Sequence, residues 1–338
     1  MGTSLILLTG FLIADIVVAG LEKIAEPGER LLAPQGIKVS VGGHPANISI
    51  DLVKLGMEPR NVTIVGTVGK DLFGRFIKET LMQYGINVII DEIGDSTNKN
   101  VILVVRGEDR RAHLEVSSSR LLSPQRVIEC AQKLRPKLFY VATGMIGEVD
   151  SQLEYVLRKI KDLGSPVFVD SVKPIGKTWD FLFPALKYVD IFHCNRREIL
   201  EMTGEKSLEN ALENLLKMGI GLLFVTLGGE GAVALTSSFM LKQPAFKIDV
   251  VDPTGAGDAF CAGIIYKLTR IYGEKLPLVD VRRIPPETLG EITLFAQAVG
   301  AAACTAPGTT AGVSMRKVEE LVSSQGRDIL RKQIIEPR

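Results

Sequence analysis

Short, continuously apolar segments alternate with amphipathic ones along the chain after residue 123. A short uninterrupted apolar run is typical of a strand that is buried on both faces of a parallel sheet. The amphipathic segments between these runs have the spacing of helices. This alternation predicts an α/β fold, in which helices cover both faces of a mostly parallel, doubly wound sheet. The clearest predicted strands are 138–141, 167–170, 191–194 and 222–226.

The chain begins with a long apolar stretch, Leu5 to Val18, which we interpret as a buried strand. It lacks a basic segment at its start, and Asp15 interrupts it well before the ~20 apolar residues that a membrane-spanning helix needs. Residues 4–9 are predicted to be a central strand of the sheet. Asp15 follows the carboxyl end of this strand, where open α/β sheets bind ligands. A buried acid needs hydrogen bonds, which either substrate hydroxyls or the nearby backbone would supply.

The pattern changes between residues 91 and 119, where apolar and polar residues alternate. The apolar segment 101–105 is followed by the turn Gly107-Glu108-Asp109 and then by the alternating segment 111–116. Such a pattern predicts an antiparallel hairpin. A small β element is therefore expected beside the main sheet.

A pair of glycines, Gly42 and Gly43, lies between a predicted strand and an amphipathic helix that ends at Gly56. Paired glycines permit the close approach of a ligand, and the amide of Asn47 can both donate and accept hydrogen bonds. Asn47 is therefore a candidate to bind a polyol, although a purely structural turn would have the same pattern. His44 is expected to face solvent rather than a substrate.

The most informative segment is 250–260, V-V-D-P-T-G-A-G-D-A-F, which predicts a strand, a turn of small residues and an apolar helix. The turn Gly255-Ala256-Gly257 leaves room for its N–H groups to approach a ligand. The first turn of the helix favours an anion such as phosphate, and Asp258 within it can accept a proton from an attacking hydroxyl group. The alternative is that Asp258 only caps the helix. No G-K-[ST] follows the glycines, so this is not a Walker A loop.

The composition excludes several classes of protein. The 338 residues, 46% hydrophobic and 23% charged, are enough for one large folded domain with an appendage. A net charge of +1 gives no broad electrostatic reason to bind nucleic acid or an anionic membrane. The four cysteines are widely separated and form no C-x-x-C pair, so neither a zinc site nor a disulfide framework is predicted. A reducing, cytoplasmic location fits this cysteine usage best.

The string D-P-T-G-A-G-D-A-F at 252–260 resembles the C-terminal signature of the ribokinase-like (PfkB) family of carbohydrate and nucleoside kinases. Residues 42–47 resemble the G-G-x-x-x-N signature of that family, and the two signatures occur in the family's order. The resemblance implies a single ribokinase-like domain over residues 1–338, with a small β-sheet lid formed from about 11–40 and 91–119. It also implies a homodimer through the lid.

The resemblance further implies an ATP- and magnesium-dependent kinase that transfers the γ-phosphoryl group to a hydroxyl of a small carbohydrate. Asp258 would be the general base, and the amides of Gly255, Ala256 and Gly257 would form the anion hole. Two asparagines of the lid pattern either reach the substrate or serve turns. The residues expected to bind the phosphoryl acceptor are Asp15, Gly42, Gly43, Asn47, Asn98 and Asn100.

Three segments resemble the nucleotide side of the family. Residues 195–198 are similar to its N-x-x-E motif, whose Asn and Glu act on magnesium and phosphate mainly through water; an N-capped helix is the alternative. Residues 226–231 are similar to its T-x-G-x-x-G turn, or they form a simple hairpin. The small residues of 298–310 suit an adenine ring or tight helix packing. The implied nucleotide residues are Asn195, Glu198, Thr226, Gly228, Gly231, Thr254, Ala303 and Gly308.

The resemblance implies metal ions at two places. Glu198 is expected to act on Mg²⁺ through water. Many members of the family also hold a monovalent cation, such as potassium, between the 298–310 loop and the strand that carries the first aspartate of the signature, here Asp252. Because backbone oxygens dominate such a site, the sequence neither confirms nor excludes it.

One segment departs from the family's pattern and leaves the acceptor open. Residues 170–173, D-S-V-K, stand where family sugar kinases often have D-x-N-x-R, and a lysine cannot reproduce the bidentate grip of an arginine. An acidic or phosphorylated sugar is therefore in doubt. A nucleoside kinase, in which Phe11 and His44 would stack on the base, is the first alternative. A non-catalytic sugar or nucleotide sensor is a remote one, because a sensor does not need Asp258 beside an anion hole.

Overall fold

A large sheet flanked by helices forms the centre of the molecule, and a second, smaller sheet is separate from it. The computed structural model describes residues 6–106 and 111–338. The strands are β1 (Ile6–Thr9), β2 (Ile13–Leu21), β3 (Ile37–Gly42), β4 (Val62–Val68), β5 (Asn87–Glu92), β6 (Asn98–Val105), β7 (Arg111–Glu115), β8 (Leu138–Thr143), β9 (Val167–Ser171), β10 (Ile191–Asn195), β11 (Leu222–Thr226), β12 (Ala232–Leu235), β13 (Phe239–Gln243) and β14 (Ile334–Pro337). The α-helices are α1 (His44–Lys54), α2 (Leu72–Gln83), α3 (Pro124–Leu134), α4 (Glu148–Ser151), α5 (Leu153–Asp162), α6 (Arg196–Thr203), α7 (Leu208–Lys217), α8 (Ala256–Tyr272), α9 (Pro286–Ala303) and α10 (Met315–Lys332). Among the helices of these two ranges, none combines the length and the hydropathy needed to cross a membrane.

The large sheet has the strand order β14-β13-β12-β11-β10-β9-β8-β1-β4-β5. Its strands from β11 to β5 in that order pair in parallel. The strands β12, β13 and β14 extend it as an antiparallel edge. The four strands predicted after residue 123 are confirmed as β8, β9, β10 and β11, and the mostly parallel, doubly wound sheet is confirmed with them.

The central strand β1 shows why the predicted strands are continuously apolar. Ile6 and Leu8 pack into the hydrophobic core on one face of the large sheet, and Leu7 packs into the core on the other face. All three side chains are fully buried. Because side chains alternate across a strand, helices on both faces require an apolar residue at every position.

The interpretation of Leu5 to Val18 as one strand is wrong. The described part of this stretch forms two strands, β1 in the large sheet and β2 in the small one, while Ser4 and Leu5 lie outside the described residues. The chain leaves the large sheet after Thr9. Since both sheets bury their strands here, hydropathy does not show where the chain passes from one to the other. Asp15 therefore lies within β2 and not in a loop after β1.

The small sheet has the strand order β3-β2-β6-β7. Strand β2 pairs antiparallel with β3 and parallel with β6, and β6 pairs antiparallel with β7. The predicted hairpin is thus confirmed as β6 and β7, and its predicted turn, Gly107-Glu108-Asp109, lies outside the described residues. Residues 91 and 92 belong to β5 of the large sheet, so the second segment of the small sheet begins at Asn98 and not at 91.

The strand predicted ahead of Asp252 is wrong. Val250 and Val251 are 61% and 60% exposed and lie in an irregular segment. The N–H group of Val251 donates to the carbonyl of Cys304, just after α9, at 2.8 Å. Two β-branched residues favour a strand, but β14 already occupies the edge of the sheet beyond β13. Asp252 is therefore held by a loop and not by a strand.

Candidate active site

The N-terminus of α8 presents a turn of small residues to a cavity. Gly255 caps the helix with φ +82°, and a Cβ atom there would lie 2.4 Å from the carbonyl oxygen of Thr309. Both the conformation and the space therefore require glycine. Gly255 and Gly257 line the cavity. Because the first N–H groups of a helix have no partner within it, this end of α8 is suited to an anion.

Ala256 differs from its two neighbours. Its N–H group donates to the carbonyl of Pro253 at 3.3 Å, and Ala256 is not among the residues that line the cavity. Of the three residues predicted to form an anion hole, Gly255 and Gly257 line the cavity and Ala256 does not.

Asp258, the third residue of α8, is only 7% exposed. Its Oδ2 accepts a hydrogen bond from Nδ2 of Asn47 at 2.7 Å, and Oδ1 of Asn47 accepts one from the hydroxyl of Thr309 at 2.9 Å. Burial raises the pKa of Asp258, and the Asn47 hydrogen bond opposes that shift. The other carboxylate oxygen, Oδ1, is buried and has no hydrogen-bond partner among the described residues. One oxygen is therefore fixed by Asn47, and the other keeps an unused capacity to accept a hydrogen bond.

His44 lies beside this carboxylate, so the expectation that it faces solvent is wrong. Its Nε2 is 3.6 Å from Oδ1 of Asp258, and its ring meets that of Phe11 edge-on, with the ring centroids 5.1 Å apart. Gly43, with φ +92°, directs the chain so that His44 becomes the first residue of α1. A helix that begins at the sheet edge points its first side chains at the site, and the G-G-H order was the only sequence signal of this contact.

The strands of the small sheet supply a second polar group to the cavity. Nδ2 of Asn100 on β6 donates to Oδ1 of Asp15 on β2 at 3.0 Å, while Oδ1 of Asn100 is buried without a partner among the described residues. A Cβ atom on Gly42 would lie 2.0 Å from Oδ2 of Asp15, and one on Gly43 would lie 2.2 Å from the carbonyl of Phe11. The two glycines are therefore needed so that β3 and α1 can approach the strand that carries Asp15.

Asn98 is predicted to contact the substrate, but the structure does not bring it to the cavity. Its Nδ2 donates to the carbonyl of Leu12 at 2.7 Å, and its Oδ1 accepts from the N–H group of Ser117 at 2.8 Å. It is 1% exposed and is not among the lining residues. The amide joins β6 to neighbouring chain segments, which agrees with the structural alternative for this asparagine.

The cavity between these elements has a volume of about 450 Å³. The polar residues that line it are Asp15, Asn47, Asn100 and Asp258, and the apolar ones are Phe11, Ile13, Ile102, Ala112, Leu114 and Met145. Ile13 and Asp15 lie two positions apart on β2, as do Asn100 and Ile102 on β6, so polar and apolar groups share the same strand faces. A ligand that fills the cavity would therefore meet both hydrogen-bonding groups and carbon surface.

Asn195 and Glu198 form a capping box at the start of α6. Oδ1 of Asn195 accepts from the N–H group of Glu198, and Oε2 of Glu198 accepts from the N–H group of Asn195, both at 2.9 Å. The structural alternative for this motif is thus realised, and Asn195 lines the cavity all the same. Burial raises the pKa of Glu198, and the nearby Asp170 adds to the shift. Hard oxygen donors at this edge fit a hydrated Mg²⁺ ion.

The T-x-G-x-x-G segment joins β11 to the antiparallel strand β12, so it also forms the predicted hairpin. Gly228 and Gly231 have φ +60° and +113°, and a Cβ atom on Gly231 would lie 1.9 Å from the carbonyl of Gln243. Thr226 pairs in register with Asn195 of β10. Thr226, Gly228 and Gly231 do not line the cavity described above. The register of β10 and β11 places Thr226 beside Asn195 at the same edge of the sheet, and the two glycines follow it in the turn.

Asp252 ties the signature turn to the loop after α9. Its Oδ1 accepts from the N–H group and the hydroxyl of Thr254, at 2.9 and 2.6 Å, and its Oδ2 accepts from the N–H group of Gly308 at 3.0 Å. Ala303, the last residue of α9, is fully buried. The carboxylate of Asp252 thus hydrogen-bonds to the loop directly. A cation at this place would therefore have to be held by backbone oxygens.

The fold and the site together define a class of enzyme. An anion-binding helix N-terminus beside a buried carboxylate, at the carboxyl edge of a parallel sheet, suits the transfer of a phosphoryl group to an alcohol. The model of the pfkB family of carbohydrate kinases matches residues 8–316. The chain belongs to this family, and it is therefore a phosphotransferase with an alcohol group as acceptor, of the kind that acts on sugars or nucleosides.

Individual relatives are similar over most of the chain. Aminoimidazole riboside kinase from Salmonella typhimurium is 26% identical over 244 residues, which are 68% of this chain and 74% of that protein. Deoxyribokinase from Salmonella typhi is 28% identical over 248 residues, which are 70% and 77%. The solved structure of ribokinase from Giardia lamblia has a TM-score of 0.80 at 21% identity, over 96% of this chain and 99% of that one. Arabidopsis thaliana ribokinase complexed with ribose and ATP has a TM-score of 0.75 at 22% identity, over 95% and 99%.

Proposed function

We propose that this protein is an ATP- and magnesium-dependent kinase that transfers the γ-phosphoryl group of ATP to a hydroxyl group of a small carbohydrate. The observation that carries the proposal is the state of Asp258. Asn47 holds one carboxylate oxygen, and the other has no hydrogen-bond partner among the described residues and lies beside the N-terminus of α8. A general base and an anion-binding turn thus meet in one cavity.

The reaction is an in-line displacement at the γ-phosphorus atom. The acceptor's hydroxyl oxygen forms a bond to phosphorus while the bond to the β–γ bridging oxygen breaks, and ADP leaves with that electron pair. The hydroxyl proton passes to Oδ1 of Asp258. The amides of Gly255 and Gly257 stabilise the negative charge on the transferring group. Asn47 fixes the carboxylate, because accurate positioning is the main catalytic device in phosphoryl transfer.

Asp15, Asn47 and Asn100 would bind the acceptor's other hydroxyl groups. The carboxylate of Asp15 accepts hydrogen bonds, and the buried Oδ1 of Asn100 needs a donor that a substrate hydroxyl supplies. Gly42 and Gly43 contribute to this binding indirectly, because their lack of a side chain lets β3 and α1 come close to Asp15 and Phe11. Closure of the small sheet over the acceptor would exclude water and so limit the hydrolysis of ATP.

ATP is the proposed donor, supported by the Arabidopsis ribokinase of the same fold, which is complexed with ATP. Glu198 and Asn195 would hold hydrated Mg²⁺, which neutralises charge on the phosphates when it is bound. Thr226, Thr254, Ala303 and Gly308 would contact the nucleotide. Potassium would be held by backbone oxygens near Asp252.

A nucleoside is the second candidate acceptor, and the apolar residues of the cavity favour it. Phe11, Ile102, Leu114 and Met145 line the cavity of about 450 Å³ together with the polar residues. A free sugar has little carbon surface to cover these side chains, whereas a ribose with an attached base does. Aminoimidazole riboside kinase, a relative, is named for an acceptor of this shape. A non-catalytic sensor is disfavoured, because it would leave the unpartnered oxygen of Asp258 without a use.

The small sheet is also the proposed interface of a homodimer. Ile37 and Val39 on its edge strand β3 are 64% and 47% exposed and share one face of the strand. Exposed apolar residues on an edge strand favour association with another chain. Val39→Asp should therefore convert a dimer to a monomer in sedimentation equilibrium, and an unchanged mass would contradict this interface.

The test of the proposed function is an ATP-coupled assay against pentoses, hexoses, sugar acids, inositol, sugar phosphates and nucleosides. Turnover of one class of acceptor is expected, and Asp258→Asn should lower kcat about 100- to 10,000-fold, the range for loss of a general base. Asp328→Asn, which removes a carboxylate from the exposed face of α10, is the matched control and should retain activity. A near-normal kcat in Asp258→Asn would contradict the mechanism. Tight sugar binding without transfer to any acceptor would favour the sensor.

A further inference from the structure

The imidazole of His44 lines the cavity, and the mechanism above does not use it. His44 is the first residue of α1, and its side chain is 24% exposed. Its Nδ1 is buried without a hydrogen-bond partner among the described residues, and its Nε2 is 3.6 Å from Oδ1 of Asp258, which is beyond hydrogen-bond distance. Both ring nitrogens therefore keep an unused hydrogen-bonding capacity within the described part of the chain.

The fold gives little reason for a histidine at this position. The ring of His44 contacts that of Phe11 edge-on, and a phenylalanine would make the same kind of contact. A buried ring nitrogen without a partner is costly, and an apolar side chain would avoid that cost. A ligand that forms a hydrogen bond to the imidazole would offset it.

One oxygen atom can bind to both Nε2 of His44 and Oδ1 of Asp258. A hydroxyl oxygen lies about 2.7 Å from a carboxylate oxygen that it donates to and about 2.9 Å from a ring N–H group that donates to it. Because the two atoms are 3.6 Å apart, a hydroxyl can satisfy both distances at once. Both residues line the cavity together with Gly255 and Gly257, so such a hydroxyl would also lie beside the N-terminus of α8.

This placement would fix the direction in which the hydroxyl attacks. A hydroxyl oxygen has a bond to carbon, a proton and two lone pairs. Oδ1 of Asp258 takes the proton, and the N–H group at Nε2 of His44 occupies one lone pair. The remaining lone pair is then left for the γ-phosphorus atom. The same N–H group stabilises the negative charge that grows on the oxygen as its proton leaves.

We propose that His44 is a further catalytic residue, whose Nε2–H group donates a hydrogen bond to the reacting hydroxyl oxygen of the acceptor. This inference rests on the proposed role of Asp258 as general base. The oxygen bonds to the γ-phosphorus atom, the β–γ bridging oxygen leaves with ADP, and the hydroxyl proton passes to Asp258, while His44 keeps its own proton throughout. Both the imidazolium and the neutral tautomer with the proton on Nε2 provide the required donor.

A stacking role for His44 would make different demands on the side chain. If the ring only covered the base of a nucleoside, an aromatic face would be needed and an N–H group would not. His44→Phe keeps the ring and removes the donor. His44→Gln removes the ring and keeps an N–H group about as far along the side chain as Nε2. The two roles therefore predict opposite orders of activity for these variants.

The first test compares kcat in the wild type, His44→Gln, His44→Phe and His44→Asn, whose shorter amide extends only as far as Nδ1. We expect kcat to stay within about threefold in His44→Gln and to fall about 10- to 100-fold in His44→Phe and His44→Asn, as for the loss of a hydrogen bond to a charged group. KM for the acceptor should change less, because the charge on the oxygen develops only in the transition state. His113→Ala, on the exposed strand β7, is the control and should retain activity.

The other possible results would overturn the inference. Equal losses in all three variants at position 44 would mean that the shape of the imidazole matters and its N–H group does not. A normal kcat in His44→Phe with a loss in His44→Gln would indicate stacking. In the double variant His44→Phe/Asp258→Asn, the substitution of His44 should lower kcat less than it does in the wild type, because the two residues act on one oxygen. Additive losses would mean that His44 acts elsewhere.

The second test does not depend on whether the variants fold. A crystal structure of the wild type with ADP and ribose, or with ADP and adenosine if the panel selects nucleosides, measures the contact directly. The reacting hydroxyl oxygen should lie within about 3.2 Å of both Nε2 of His44 and Oδ1 of Asp258. An oxygen beyond that reach of Nε2 overturns the inference. A normal kcat in Asp258→Asn would refute the proposed function itself, whereas an inactive Asp258→Asn with a normal kcat in His44→Phe would refute only this inference.

Discussion

The two halves of the cavity are built from different parts of the chain. On the proposed acceptor side, polar side chains contact one another: Asn100 donates to Asp15, and Asn47 donates to Asp258. On the proposed nucleotide side, the signature turn lines the cavity with Thr254, Gly255 and Gly257, and the two glycines can present only backbone. The first side is therefore specified by residue type, and the second by conformation and space.

This difference separates two kinds of specificity. A phosphate chain has the same shape in every nucleoside triphosphate, so backbone amides at a helix N-terminus are sufficient for it. A carbohydrate is recognised by the positions of its hydroxyl groups, which requires side-chain donors and acceptors in a fixed arrangement. Substitutions on the two sides should therefore affect different kinetic constants.

After Asp258→Asn, the largest effect is expected at Gly255, where the turn leaves no room for a side chain. Gly255→Ala would need a left-handed conformation at φ +82° and would place Cβ 2.4 Å from the carbonyl of Thr309. We expect the turn to shift and kcat to fall about 100- to 1,000-fold, the range for loss of one donor in an oxyanion hole. Initial rates at saturating acceptor and ATP measure this.

Gly204→Ala is the control for backbone strain. Gly204 also has a left-handed φ, +70°, at the end of α6, but nothing lies within 4 Å of its ideal Cβ position. This variant should lose about 1–2 kcal/mol of stability, the cost of an L-residue in the left-handed region, and keep its kcat. Equal losses of kcat in the two variants would mean that strain alone, and not the shape of the anion hole, explains the first result.

A smaller effect, confined to the acceptor, is expected at Asn100. Asn100→Ala removes the hydrogen bond to Asp15 and the buried Oδ1 that has no partner among the described residues. We expect kcat/KM for the acceptor to fall about 10- to 100-fold, as for the loss of a hydrogen bond to a charged group, with KM for ATP nearly unchanged. Asn98→Ala is the matched control on the same strand. It should lower Tm by removing the bonds to Leu12 and Ser117, and leave KM for the acceptor almost as it was.

The paired asparagines show how far the sequence predicts this site. Asn98 and Asn100 have the same residue type and lie two positions apart on β6, yet only Asn100 reaches the cavity. The sequence pattern places both just ahead of the apolar segment 101–105, where they are expected to reach the substrate or serve turns, and the structure extends the strand back to Asn98. Asn98 is kept from the cavity because its side-chain amide is already hydrogen-bonded to the backbone of Leu12 and Ser117, which are distant from it in sequence. Local patterns predict elements, and packing between elements decides roles.

The same distinction explains the other differences from the sequence-based predictions. The parallel strands and the hairpin follow from periodicity, and the signature residues follow from motifs in which neighbouring residues act together. The contact of His44 with Asp258 and the pair of Asp170 with His193 join residues from different elements. The G-G-H order is the only local signal of the first contact, and no local signal marks the second. Val250 and Val251 show the opposite case, in which a local signal was present but misleading. Their β-branched side chains favour a strand, yet β14 already pairs with β13 at that edge of the sheet, and both valines are exposed.

A thermodynamic effect is expected at Asp51, one turn after Asn47 on α1. Asp51 is fully buried, and both of its carboxylate oxygens have no hydrogen-bond partner among the described residues. Burial raises its pKa well above the ordinary value, and the charge of Asp258 adds to the shift. The folded state thus keeps a proton that the unfolded state releases above about pH 4, so the free energy of unfolding falls as the pH rises from there toward the folded pKa.

Asp51→Asn removes this dependence on pH. Its Tm should exceed that of the wild type at pH 8, and the advantage should shrink toward pH 4. Thermal unfolding across that range measures the difference, with Asp328→Asn on the exposed face of α10 as a control for the loss of a carboxylate. A wild type that is more stable than Asp51→Asn at pH 8 would mean that the carboxylate is stabilised in its charged form.

The smallest effect is expected at Lys54, where α1, the helix that carries Asn47, contacts the loop after α9. Nζ of Lys54, at the end of α1, donates to the carbonyl of Thr310 at 2.6 Å, next to the contact between Asn47 and Thr309. Lys54→Met keeps the apolar stem of the side chain and removes only the donor, so the loop should loosen while Asn47 keeps its hold on Asp258. KM for ATP is expected to rise about 3- to 10-fold, as for one lost hydrogen bond, with KM for the acceptor nearly constant. If the acceptor's KM rose instead, α1 would be transmitting the change to Asn47, and the two sides of the cavity would be coupled rather than independently built.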